Sequence, residues 1–155
     1  MLEKRIELKK SDLTILLSWL KGKAIAHNKK FVYDELLQRC ITDSVETIKV
    51  DDCFDDFMLD LYLIYEKFSK VTQEGIEKIA ENPIFETLPK EWVEESMRSL
   101  NAFLKLYEDL MLTSKFELPQ IRGIQKNMMN DFLTKYIASE NYEKCIELKE
   151  NMKNV

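Results

Sequence analysis

The chain holds one histidine, three glycines, three prolines and three cysteines in 155 residues, and each scarcity excludes something. With His27 alone and no Cys-x-x-Cys pair, a structural zinc site would lack the ligands it needs. Nucleophilic catalysis has no assembled pair either: Gly-x-Ser-x-Gly is missing, and no cysteine stands beside a plausible base. Gly22, Gly75 and Gly123 are isolated, whereas phosphate loops and dinucleotide fingerprints need clustered glycines. Cys40, Cys53 and Cys145 are odd in number, far apart and flanked by apolar residues, the pattern of reduced core cysteines. A basic surplus is also missing. The 28 acidic and 23 basic side chains interleave to a net charge of −5, so a duplex-binding groove is not indicated and nucleic acid is not the expected partner. The opening MLEKRIELKK lacks the apolar run of a signal peptide, and no segment approaches the roughly 20 apolar residues of a membrane span. A cytoplasmic address and no membrane partner are the expectation.

What is present is helical pattern. An apolar fraction of 45% and a charged fraction of 33%, with so few breakers, describe a compact all-α chain. No repeat or polar linker divides it, so residues 1–155 read as a single-domain helical bundle of six to seven helices. Ser11 is placed to cap a helix over 11–26 with the stripe Leu13, Leu16, Leu17 and Leu20. A second helix over 30–41 carries Phe31, Leu36, Leu37, Cys40 and Ile41. The clearest one, over 52–69, sets Phe54, Phe57, Met58, Leu61, Tyr62, Tyr65 and Phe68 at steps of three and four. Ile76, Ile79 and Ala80 suggest a short helix that ends at Asn82-Pro83. Over 89–112, Val93, Met97, Leu100, Leu104, Tyr107 and Met111 repeat every seven residues, a seam for a bundle or for self-association. Another helix starts at Leu118-Pro119 and carries Ile121, Ile124, Met128, Phe132, Leu133 and Tyr136. Leu2, Ile6 and Leu8 alternate with charges, and with residues 46–50 they could form a two-stranded ribbon.

Two stretches are candidates for function. DDCFDDFMLD puts Asp52, Asp56 and Asp60 at i, i+4 and i+8, a spacing that could hold Mg²⁺ if a second helix supplied partners among Glu91, Glu94, Glu95, Glu108 and Asp109. That would make the chain a metal-dependent all-α hydrolase, although the E-E-x-x-E and E-x-x-D arrangement of such enzymes is absent. The plainer reading has Asp51 and Asp52 capping the helix, with Asp55, Asp56 and Asp60 on a solvated face that can meet a basic partner. Lys21, Lys23, Lys29 and Lys30 form the one basic patch, an exposed turn without aromatics to stack bases. His27 reads as a surface or capping residue near the end of the first helix.

The second stretch is SENYEKCIELKENMKNV. Its Tyr142-Glu143, Cys145, Leu148, Lys149-Glu150 and Met152 resemble the second helix of the UVR motif, a short helical hairpin of excision-repair subunits and Clp-protease regulators. Ile146 departs from the small residue of that pattern. Residues 130–137 would supply the first helix and 138–141 the turn, so 121–155 can be a hairpin module. The resemblance implies a protein contact and no chemistry. Ser139 can cap a helix whose apolar residues Tyr142, Cys145, Ile146, Leu148 and Met152 cover more than one face, and which is too short to persist unpacked.

The expected function is therefore a non-enzymatic protein–protein interaction protein: an adaptor, inhibitor or regulatory subunit, in a style that suits phage or mobile-element accessory and immunity roles. It needs no cofactor and no metal. Its contacts would be Asp52, Asp55, Asp56, Asp60, Tyr142, Glu143, Leu148, Lys149 and Glu150. The metal-dependent hydrolase and a self-assembling subunit, a homo-oligomer built on the Pro89 helix, are the alternatives.

Overall fold

The computed structural model describes residues 2–20, 27–42, 44–50, 53–70 and 89–155. Among them are six helices and one two-stranded ribbon, in the order β1 (Glu7–Lys9), α1 (Lys10–Leu20), α2 (His27–Thr42), β2 (Thr47–Lys49), α3 (Phe54–Ser69), α4 (Lys90–Thr113), α5 (Pro119–Ala138) and α6 (Tyr142–Met152). The fold is all-α with an N-terminal ribbon.

The period-2 pattern does pair. β1 and β2 are antiparallel in the register Glu7↔Lys49, Leu8↔Ile48, Lys9↔Thr47, which points Leu8 and Ile48 inward together. Backbone bonds from Val50 N to Ile6 O and from Lys10 N to Glu46 O, both 2.8 Å, extend the ladder at either end. Ile6 itself sits at a bend and is exposed, so the alternation stops there.

α1 follows β1 without a break. Lys10 is already helical, so Ser11 lies inside the helix, exposed, and does not cap it. Leu13, Leu16, Leu17 and Leu20 are all buried, and they place α1 against α2, α3 and α4. In α2 the inner face is Tyr33, Leu36 and Cys40, at i, i+3 and i+7; Phe31 and Ile41 project outward on other faces. α2 starts at His27, earlier than the spacing indicates, which moves that histidine from the end of one helix to the start of the next.

α3 buries Phe54, Phe57, Met58, Leu61 and Tyr65, the aromatic face expected of it. At about 1.5–3 kcal/mol per buried side chain, this face is among the main contributors to the core. Tyr65 stacks on Tyr107 of α4 with centroids 4.7 Å apart, and Tyr107 donates a hydrogen bond to Met58 O at 2.9 Å. In α4 the buried residues are Phe103, Tyr107, Leu110 and Met111. The seven-residue seam is thus used inside the bundle at its C-terminal end, where Phe103 and Leu110 join it. Met97 and Leu100, toward the N-terminal end, are only half-buried.

One hydrophobic cluster runs from Leu8 to Met128. Met129, Cys145 and Leu148 are buried outside it, under the α5–α6 hairpin. Cys40 and Cys145 are buried and Cys53 half-buried, and all three are free thiols. The suggested helix near 76–80, the stop at Asn82-Pro83, Asp51, Asp52, Lys21 and Lys23 lie outside the described residues. No helix among the described residues is long and apolar enough to cross a membrane.

Candidate functional site

The C-terminal end of α4 is where the chain converges. A helix leaves its last four carbonyls without intrahelical donors, and here each receives a different one. Leu110 O accepts from Ser114 N at 3.0 Å, and Thr113 O from Glu3 N at 2.8 Å. Met111 O accepts from Gln125 Nε2 at 2.7 Å, and Leu112 O from Asn151 Nδ2 at 3.2 Å. Arg5 adds side-chain bonds to Ser114 Oγ at 3.1 Å and Thr113 Oγ1 at 2.6 Å. The segment around Glu3, α5 and α6 are thereby fastened to one turn of chain.

The acidic stretch is put to several uses. Asp55 turns one carboxylate oxygen to Glu117 N (2.8 Å) and Leu118 N (2.9 Å), so it serves the start of α5, where Pro119 occupies the first turn. It is half-buried, not part of a solvated face. Asp60 accepts a hydrogen bond from Tyr33 Oη and tethers α2 to α3. Asp56 is exposed, and Asp52 lies outside the described residues. Among the described residues no three His, Cys, Asp or Glu side chains gather into a group able to hold a metal ion. Asp55→Ala should cost about 1–2 kcal/mol in a urea melt, because two N–H groups at the head of α5 lose a charged acceptor. Asp55→Asn should cost less than half as much; equal losses would mean that packing and not these bonds is at stake.

A cleft of about 500 Å³ opens beside Asp55, lined by Lys4, Arg5, Phe54, Asp56, Lys115, Glu117, Leu118 and Pro119 among others. Among the described residues its charges balance, with Lys4, Arg5 and Lys115 against Asp55, Asp56 and Glu117, and Lys4 lies 3.7 Å from Glu117. It has no surplus of one sign for a ligand to answer.

The terminal hairpin forms as two antiparallel helices joined at Ser139 to Asn141, with Glu140 in the left-handed region at φ 60. Asn141, not Ser139, caps α6, its side chain accepting from Lys144 N. The Ser139 hydroxyl instead donates back to Tyr136 O at 3.2 Å and closes the end of α5. Cys145, Leu148 and Asn151 face inward, on α4 and α5. Leu148 is therefore an anchor, not an offered contact. Tyr142 and Ile146 are 63% and 70% exposed, and Glu143, Lys149 and Glu150 are exposed around them.

No family model, curated protein or solved structure matches this chain. The geometry gives three classes of site residue: carboxylates absorbed into the bundle, an anchored helix with an apolar outer pair, and the buried amides Gln125 and Asn151. Helical spacing marks those amides in retrospect, since Gln125 falls between Ile121 and Met128 and Asn151 falls three residues after Leu148.

Proposed function

We propose that the protein is a non-enzymatic binding protein, an adaptor, inhibitor or regulatory subunit that docks another protein through the outer face of its terminal hairpin. The observation that carries this is the arrangement of α6. Cys145, Leu148 and Asn151 hold it to the bundle on one side, while Tyr142 and Ile146, one turn apart, stand in water on the other. A tyrosine is among the residue types that dominate protein interfaces, and Ile146 extends its apolar surface along the helix. Glu143, Lys149 and the Glu150–Lys153 ion pair, 3.4 Å apart, surround these two residues, so the matching surface is an apolar pocket with a polar rim of both signs. The resemblance of 142–152 to a UVR-type hairpin supports the same reading. Asp56, the exposed acid of α3, can add to the attraction of a basic partner. Asp55 and Asp60 are engaged within the bundle, so the hairpin offers more free surface than the acidic stretch.

Removing α6 would be a poor test, because it also deletes the buried Leu148 and Asn151. Substituting Tyr142 and Ile146 together by alanine leaves the inner face intact and should change stability by less than about 1 kcal/mol. Affinity capture from the native host should then lose, by at least about tenfold, the partners that the unaltered protein recovers. Recovery of the same partners in the same amounts from both forms would end the proposal.

A further inference from the structure

A second surface lies near the other end of α4. Trp92, Glu95, Ser96 and Ser99 occur at i, i+3, i+4 and i+7, so they share one helical face. Together with Trp19 of α1 they line a cleft of about 360 Å³. The chain's two tryptophans are thus the two aromatic walls of one cleft. Trp19 is a fixed wall, stacked on Phe103 with centroids 5.0 Å apart and edge-to-face with Phe68 at 5.4 Å. Trp92 stands in water, 58% exposed.

The polar groups of the cleft point to one kind of guest. The Glu95 carboxylate makes no hydrogen bond or ion pair among the described residues, nor do the hydroxyls of Ser96 and Ser99. Among the described residues the site therefore offers one negative charge, two indole surfaces and two hydroxyls, and no positive charge. A ligand that answers the charge and the flat indole faces is cationic and planar, with N–H groups for the carboxylate. A guanidinium has these properties: five donors in a rigid fork, a flat face that stacks on indole, and a permanent charge. An ammonium supplies the charge without the plane.

We infer that this cleft receives an arginine side chain presented by a protein partner, its guanidinium lying against Trp92 and bonded to Glu95. The site is independent of the hairpin. At 1.5 Å of rise per residue it lies about 20–30 Å along α4 from Leu112, where α6 is fastened.

Because both tryptophans line the cleft, intrinsic tryptophan fluorescence reports on it without background from elsewhere. Titration of the whole protein with acetyl-arginine amide at constant ionic strength should give a saturable change in emission in the millimolar range. Acetyl-citrulline amide, of the same shape without the charge, should give none, and acetyl-lysine amide should bind several-fold more weakly. Glu95→Gln, an exposed substitution that leaves the melting temperature in place, should weaken the arginine probe about three- to fivefold. Trp92→Leu should weaken it about two- to fivefold, with Trp19 still reporting. Equal responses to arginine and citrulline, no saturable change, or an unaltered titration in Glu95→Gln would each overturn the assignment. Tighter binding of free arginine than of the blocked form would assign the cleft to the amino acid itself and overturn the protein-docking role.

Discussion

Replacing Gln125 by leucine should cost about 2–5 kcal/mol of folding stability, although leucine fills nearly the same space. The side chain is 1% exposed, and its amide nitrogen donates to Met111 O at 2.7 Å and to Ser114 O at 2.6 Å. Both acceptors lie where α4 ends, so no intrahelical donor can replace it. Leucine removes the donor and leaves two buried carbonyls unpaired, each worth about 1–3 kcal/mol. Because the volume is nearly conserved, a cavity adds little to this figure. For a chain of this length the melting temperature should fall by about 5–15 °C, with a matching shift in the urea midpoint and no change in its slope. A loss below about 0.5 kcal/mol would show that the amide is not what closes the helix. Gln125→Glu should be at least as damaging at neutral pH, since it brings a carboxylate to a place built for a donor.

Stability should also fall steeply in alkali, beginning near pH 10. Tyr107 is the clearest cause: burial, reinforced by neighbouring Tyr62 and Tyr65, pushes its phenol well above the usual value. Tyr33 and Tyr65 are raised by burial first and then by their hydrogen bonds to Asp60 and Glu108. The unfolded chain releases these protons near pH 10, whereas the folded one keeps them. The folded state then holds more protons, so the contribution of these groups is fully present below about pH 10 and is lost above it. Tyr107 alone should contribute about 1.4 kcal/mol per pH unit. Tyr33 and Tyr65 should add less, because their hydroxyls are only partly buried. Urea midpoints measured between about pH 8 and 12 would give the slope, and tyrosinate absorbance should appear only as the chain unfolds. Tyr107→Phe should flatten the slope by about 1.4 kcal/mol per pH unit, at the expense of the bond to Met58 O. An unaltered slope in that variant would refute the assignment.

Much of the fold was legible because burial leaves a period. The aromatic steps of α3 and the leucines of α1 name their inner faces, and the alternation around Leu8 and Ile48 finds the ribbon. Chain ends of helices were less legible. Ser11 and Ser139 have the chemistry of caps but not the backbone place, which the directly attached strand denies to one and Asn141 takes from the other. The candidate sites were legible only in part. Asp55 and Asp60 look solvated in sequence because their partners, Glu117 N, Leu118 N and Tyr33 Oη, come from elsewhere in the chain and set no periodicity. Gln125 and Asn151 hide for the same reason: their partners are backbone carbonyls, present at every position. Trp92 belongs to no stripe, and its pairing with Trp19 in one cleft depends on how α1 crosses α4.

The turn at the end of α4 has a kinetic consequence. Arg5 and Ser114 are 109 positions apart, and the loop that joins them is closed against a chain-entropy cost that grows slowly with length but must be met before any bond forms. If residues 2–5 dock last, the bonds of Glu3 to Thr113 and Lys115 act as a latch, and removing them should speed unfolding more than it slows folding.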